Sequence, residues 1–190
     1  MNDFQKEVKD RIASNARDER LKSDAAAFMR SSIASQYSYN FSWLGRPIIQ
    51  YPQDMIAMQE LIWSIQPDLI IETGIAHGGS LIFSASMLEL NAACGGPQDA
   101  SVLGVDIDIR PHNRQAIEAH PLYRRIEMIQ GSSVAPEVVG QVRARATGRQ
   151  RILVCLDSNH THEHALAELK AYAPLVSVGS YCVVFDTVIE

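Results

Sequence analysis

The chain has 190 residues, the length of one domain, with enough apolar content to bury a sizeable core. Hydrophobic residues make up 46% and charged residues 21%, and a formal net charge of −5 argues against a nucleic-acid backbone as partner, because that needs a basic face. No cationic stretch leads into an apolar segment at the start, and no apolar run approaches about 18 residues, so neither a signal peptide nor a membrane span is expected and the expected compartment is the cytoplasm. Cys94, Cys155 and Cys182 show no CxxC spacing; Cys155 and Cys182 lie in apolar runs and read as small core residues in a reducing compartment.

Residues 1 to about 36 are charged and helix-prone, with Phe4, Val8, Ile12, Leu21 and Phe28 at loosely helical spacing, and form an N-terminal helical extension. Tyr37 to Pro47 reads as an aromatic-rich loop. Met55, Met58, Leu61, Ile62 and Ile65 recur at three- and four-residue intervals and predict an amphipathic helix over Asp54–Ile65, stopped by Gln66-Pro67. From there short apolar runs alternate with helical patterns. Strands are predicted at Leu69–Glu72, Ser101–Val105, Ile126–Ile129, Ile152–Leu156 and Ser180–Phe185. Helices are predicted at Ser80–Glu89, Arg114–Ala119, Pro136–Arg145 and Glu163–Tyr172. The alternation predicts an α/β fold: a Rossmann-like, doubly wound, mainly parallel sheet in a domain over residues 37–190. The chain stops at Ile189-Glu190, just beyond the fifth strand, which would leave an edge strand bare. The reading therefore expects further C-terminal strands in the natural protein, or a flexible tail.

In open α/β sheets ligands bind beyond the carboxyl ends of the strands. Each predicted strand here ends in polar residues. The first is followed by Glu72-Thr73-Gly74-Ile75-Ala76-His77-Gly78-Gly79-Ser80, the second by Asp106, and the third by Gly131-Ser132-Ser133. The fourth gives Asp157-Ser158-Asn159-His160 and the fifth Asp186-Thr187. The glycine turn lacks both the GxGxxG and the GxxxxGK[ST] spacing, and Glu72 would repel a pyrophosphate. A cationic ligand fits better: Glu72 faces a positive head group, the glycines permit close backbone approach, and Asp106 suits the two hydroxyls of a ribose. S-adenosylmethionine carries those groups and no phosphate. Asp157 and Asp186, converging with Asn159, would form an all-oxygen site suited to Mg²⁺, which could position a substrate hydroxyl and lower its pKa. In the run His160-Thr161-His162-Glu163-His164 the spacing is wrong for HExxH. His160 is the candidate base or substrate contact, whereas His162 and His164 read as a solvated helix start. His77 lies in the turn, where a ligand contact and a backbone-only role are equally open.

Taken together these residues resemble the class I S-adenosylmethionine-dependent methyltransferases, and more narrowly the cephalosporin hydroxylase family. The resemblance rests on Tyr39 to Gly45, Pro47-Ile48, Gln50-Tyr51-Pro52, Glu72-Thr73-Gly74, His77 to Ser80, Gly104-Val105-Asp106, Leu156 to His160, Tyr172 to Val176, Gly179-Ser180-Tyr181 and Asp186-Thr187. It implies a cofactor site at Glu72, Gly74, Gly78, Ser80 and Asp106, with Ser132 and Asp157 nearby, and a divalent-metal site beside the methyl group. Two positions depart from the family pattern: Asn159 where a second Asp is common, and Phe185 where an acidic pair precedes the threonine.

The expected function is a Mg-assisted O-methyltransferase acting on a hydroxyl of a small natural product or sugar-containing molecule, with Asp157 and His160 at the reacting centre. A catalytically impaired partner protein of the same fold, a hydroxylase as the family name suggests, and an NAD(P)-binding enzyme are the alternatives. The charged N-terminal helix leaves homo-oligomerisation open.

Overall fold

The computed structural model describes residues 3–187, so the expectation placed on Ile189-Glu190 lies outside the described residues. The chain forms two compact units that divide between Asn40 and Phe41. The first holds α1 (Asp3–Asn15), α2 (Glu19–Ala34) and a 3₁₀ turn over Tyr37–Asn40. Asp18 caps α2 by accepting the Leu21 N–H at 2.9 Å, leaving one fewer orphan donor at that end.

The second unit begins with a hairpin that the sequence disguises as a loop. β1 (Phe41–Trp43) pairs antiparallel with β2 (Arg46–Ile48) through Leu44 and Gly45, both at positive φ (45° and 85°), the geometry of a tight turn matched to strand twist. Strands of three residues, one carrying Pro47, leave too little alternation to read. What fixes them is tertiary. Trp43 donates its indole N–H to Ser86 Oγ at 3.0 Å and packs edge-on against Phe83. Gly79 has no room for a side chain because the Pro47 carbonyl and Ile48 lie against it.

α3 (Pro52–Ile65) starts on a proline, whose missing N–H would have been unsatisfied there anyway, and ends at Gln66 in the left-handed region before Pro67. The sheet follows: β3 (Leu69–Thr73), β4 (Ser101–Asp106), β5 (Ile126–Gln130), β6 (Ile152–Leu156) and β7 (Cys182–Val184). All are parallel, in the order β5-β4-β3-β6-β7. β7 is shorter than the Ser180–Phe185 run predicts, because only Cys182–Val184 pair with β6.

α4 (Gly79–Ala93), α5 (Pro111–Glu118), α6 (Pro136–Ala146) and α7 (His162–Tyr172) complete the fold. Side chains alternate across the sheet. Ile70, Val102, Leu153 and Cys155 join one core with α3, α4 and Ile117 of α5, while Ile71, Leu103, Val154 and Leu156 join another with Val138 and Val142 of α6 and Tyr172 of α7. Each fully buried Ile or Leu contributes roughly 1.5–3 kcal/mol. Cys155 is buried and Cys182 half-buried, whereas Cys94 is exposed. The direction in which successive strands are added reverses between β3 and β6, β4 and β5 lying on one side of β3 and β6 and β7 on the other. The crevice beyond Thr73 and Leu156 is thus the switch point where an open α/β sheet binds ligands.

Candidate active site

Between β3 and α4 the chain makes a turn whose shape other elements impose. Gly74 adopts φ +88° and leaves no room for a Cβ, since the Asp157 carbonyl occupies that space; the ends of β3 and β6 meet there. Gly78 adopts φ +83° as the N-cap of α4. Asp106 Oδ2 accepts the N–H groups of Ile75 (2.7 Å) and Ala76 (3.2 Å), and its Oδ1 accepts that of Asp108 at 2.9 Å. The Arg46 guanidinium donates through Nε and Nη2 to the His77 carbonyl and through Nη2 to Asn113 Oδ1. Asn113 in turn donates to the Ala76 carbonyl at 3.0 Å. The turn is therefore held from both sides by side chains remote in sequence. His77 takes part through its backbone oxygen, and Asp106 through bonds that leave lone pairs to spare.

Two hollows lie near this turn, one lined by Gly74 and the other by Glu72 and Ser80, which flank it. One is a cavity of about 250 Å³ lined by Gly74, Asp106, Ser132, Ser133, Ser158, Asn159 and His164. The other is a narrow cleft with free space of about 20 Å³, room for one water-sized group, lined by Gln50, Glu72, Ser80, Ser84, Asp157 and Phe185 among apolar neighbours. Glu72 is 4% exposed, with Oε2 3.5 Å from Ser84 Oγ and Oε1 without a hydrogen-bond partner among the described residues. Burial pushes its carboxyl up to about 7, against the pull of hydrogen bonds from Ser80 and Ser84. Asp157 is pushed up to about 8, chiefly by burial and then by the acidic neighbours Asp186 and Glu72, while a 2.8 Å hydrogen bond from Gln50 Nε2 works the other way. Two unneutralised carboxyls beside a cleft of that size are matched to a small cation such as an ammonium group.

Asp157, His160 and Asp186 converge at the rim. One ligand-type atom from each lies within 4.8 Å of the others, and His160 Nε2 is 3.5 Å from Asp186 Oδ2. Asp186 reaches this position from a left-handed backbone (φ +53°). Asp54, in the first turn of α3, is close enough that Asp186 adds to the burial raising its pKa. Asn159 Oδ1 accepts the Thr161 N–H at 3.0 Å, and Asn159 borders the larger cavity. Two carboxylate oxygens fit a hard divalent cation that keeps water or substrate oxygens in its remaining positions, and an imidazole beside them is tolerated.

The sequence missed His164. It is 23% exposed, borders the larger cavity, and forms a cluster with Ser133, Ser158 and the buried Glu168, rather than facing solvent as His162 does. The available signal was the four-residue spacing of His164, Glu168 and Tyr172, which stacks three polar groups on one inward face of α7.

A family profile described as rhamnosyl O-methyltransferase/CmcI matches residues 35–190. The chain belongs to this family. Rhamnosyl O-methyltransferase of Mycobacterium leprae is 33% identical over 151 residues, covering 77% of this chain and 60% of that protein. The protein of the same name in Mycobacterium tuberculosis is 34% identical over 138 residues, covering 70% of this chain and 51% of that one. The chain thus spans between half and three-fifths of the curated relatives it matches. Among solved structures, CmcI with S-adenosylhomocysteine superposes with a TM-score of 0.54 at 17% identity, over 78% of this chain and 67% of that one. CmcI with magnesium and S-adenosylmethionine gives 0.52 at 20% identity, over 79% and 59%. A putative caffeoyl-CoA O-methyltransferase from Staphylococcus aureus gives 0.54 at 13% identity, over 96% and 73%. These likenesses establish the Rossmann-like methyltransferase fold. No described helix is long and apolar enough to cross a membrane.

Proposed function

We propose that this chain carries the cofactor-binding and reacting centre of an S-adenosylmethionine-dependent O-methyltransferase whose acceptor is a hydroxyl of a sugar-bearing small molecule. The observation that carries the reading is the unpartnered, buried Glu72 oxygen in an ammonium-sized cleft lined by Glu72 and Ser80, the residues that flank the glycine turn, while Gly74 of that turn lines the 250 Å³ cavity. In it Glu72 takes the cofactor's ammonium, with Ser80 beside it. Gly74, His77 and Gly78 supply the backbone path under the sulfonium, and Asp106 and Ser132 face the ribose. The names of the mycobacterial relatives support a rhamnosyl hydroxyl as the acceptor class.

S-adenosylmethionine, when bound, supplies a methyl on a sulfonium that transfers in line to oxygen while the S–C electron pair returns to sulfur. The chain's own residues align the acceptor and take its proton. His160, oriented by Asp186 at 3.5 Å, accepts the hydroxyl proton. Asp157 and Asp186 would hold a divalent ion such as Mg²⁺, which lowers the pKa of a hydroxyl bound to it.

Calorimetry with S-adenosylmethionine and with NAD, followed by a methylation assay on rhamnosides with and without Mg²⁺, tests the reading. Binding of S-adenosylmethionine with appearance of an O-methyl sugar is expected. Tight NAD binding with none for S-adenosylmethionine would sink it, and cofactor binding with no turnover on any sugar would favour a partner-protein role.

A further inference from the structure

The Asp157 carboxylate is met by a side chain 107 positions away in sequence, and none of the roles above uses it: Gln50 donates through Nε2 to Asp157 Oδ2 at 2.8 Å. The backbone that carries Gln50 is pinned on both sides. Ile48 and Tyr51 are buried, Ile48 is registered against Phe41 in the hairpin, and the Tyr51 carbonyl accepts the N–H groups of Asp54 and Met55 where α3 begins. Gln50 itself is half-buried and lines the narrow cleft with Asp157. Its neighbours there include Ile48, Met55 and Phe185, so an apolar side chain would suit the packing as well. The amide is therefore placed for what it does to the carboxylate.

That bond limits how Asp157 can hold a cation. An ionised carboxylate only accepts, so the end of the amide that faces it is the NH₂. A carboxylate binds a metal ion through one oxygen or through both, and the second mode needs both oxygens turned to the same ion. Here Oδ2 is engaged by Gln50, which leaves Asp157 to bind through one oxygen. Small octahedral ions such as Mg²⁺ and Mn²⁺ take carboxylates in that way, whereas Ca²⁺ gathers about six to eight oxygens and readily takes two from one carboxylate. The rim gathers only two carboxylates and an imidazole within 4.8 Å, so a larger ion there would depend on the two-oxygen mode.

We propose that Gln50 is a positioning residue that keeps Asp157 a one-oxygen ligand and thereby sets the preference of the rim for a small octahedral cation over Ca²⁺. The proposal rests on the divalent-ion reading above. Its test is titration of the full chain with Mn²⁺ followed by paramagnetic resonance, with Ca²⁺ added as competitor, so that the readout is binding and not turnover. The native protein should bind Mn²⁺ about tenfold or more tighter than Ca²⁺. Gln50→Met keeps the length of the side chain and removes the donor. It should lower the Mn²⁺ affinity about tenfold or more, as loss of a group that orients a metal ligand does, while the Ca²⁺ affinity changes by less than about threefold. Gln50→Asn keeps the donor on a shorter arm, should fall between those limits, and carries the test if Gln50→Met does not fold. A merely structural role would weaken both ions alike and leave their ratio intact. A native chain with no preference for Mn²⁺, or a ratio unchanged in the variants, overturns this proposal alone. A native chain that binds neither ion overturns the divalent-ion reading as well.

Discussion

Glu72→Gln should make the ligand-free protein more stable at alkaline pH while weakening its affinity for cofactor. Glu72 is raised from 4.5 to about 7 in the folded chain, so between those values the folded state binds more protons than the unfolded one. Stability then falls as pH rises through that window, and the cost of the buried charge is complete above it. The shift corresponds to about 3 kcal/mol at alkaline pH, since each pKa unit is worth about 1.4 kcal/mol. Glutamine keeps the shape and removes the charge, so the variant should recover about 2–3 kcal/mol near pH 8.5, less what its amide loses by finding only the Ser80 and Ser84 hydroxyls, and close to nothing near pH 4. Urea unfolding at both pH values measures this directly. Titration with S-adenosylhomocysteine should show the opposite sign, because the ammonium loses its counter-charge. A variant that is less stable than the native protein at alkaline pH, or one that binds the ligand equally well, would refute the assignment of an uncompensated carboxylate waiting for a cation.

Gly74→Ala should destabilise by about 2–4 kcal/mol in urea, from a non-glycine residue held at φ +88° and a methyl forced against the Asp157 carbonyl; a loss under about 0.5 kcal/mol would mean the β3 and β6 ends are not in close contact. Asp186→Asn should abolish Mn²⁺ binding followed by paramagnetic resonance, whereas His160→Ala should retain the ion and lower the methylation rate about a hundredfold or more, as loss of a general base does. If His160→Ala loses the ion instead, the imidazole is a ligand rather than the proton acceptor.

The core strands were legible because parallel strands buried on both faces are continuous apolar runs. Ile152–Leu156 was placed at its observed ends, and Leu69–Glu72 and Ser101–Val105 each fell one residue short. The polar residues after each strand were legible for the same reason: a run of Ile and Leu that stops at an acid or a glycine marks where chain leaves the core. The hairpin at Phe41–Ile48 was not, since its strands exist only through Trp43 on Ser86 and Gly79 under Pro47. Nor was the exchange of neighbours around Asp186. Sequence spacing cannot show that His160 approaches Asp186, which a left-handed residue at position 186, just beyond β7, brings about.

By itself the order of residues determined a doubly wound sheet with acids and glycines at its carboxyl ends, because burial and backbone sterics act locally along the chain. Only the tertiary structure decided that Glu72 would be buried with one oxygen left unpaired among the described residues, that Arg46 and Asp106 would clamp the turn, and that His164 would border a cavity. Those outcomes depend on which distant groups fill the space around each side chain, and desolvation and hydrogen bonding are properties of that space rather than of the residue.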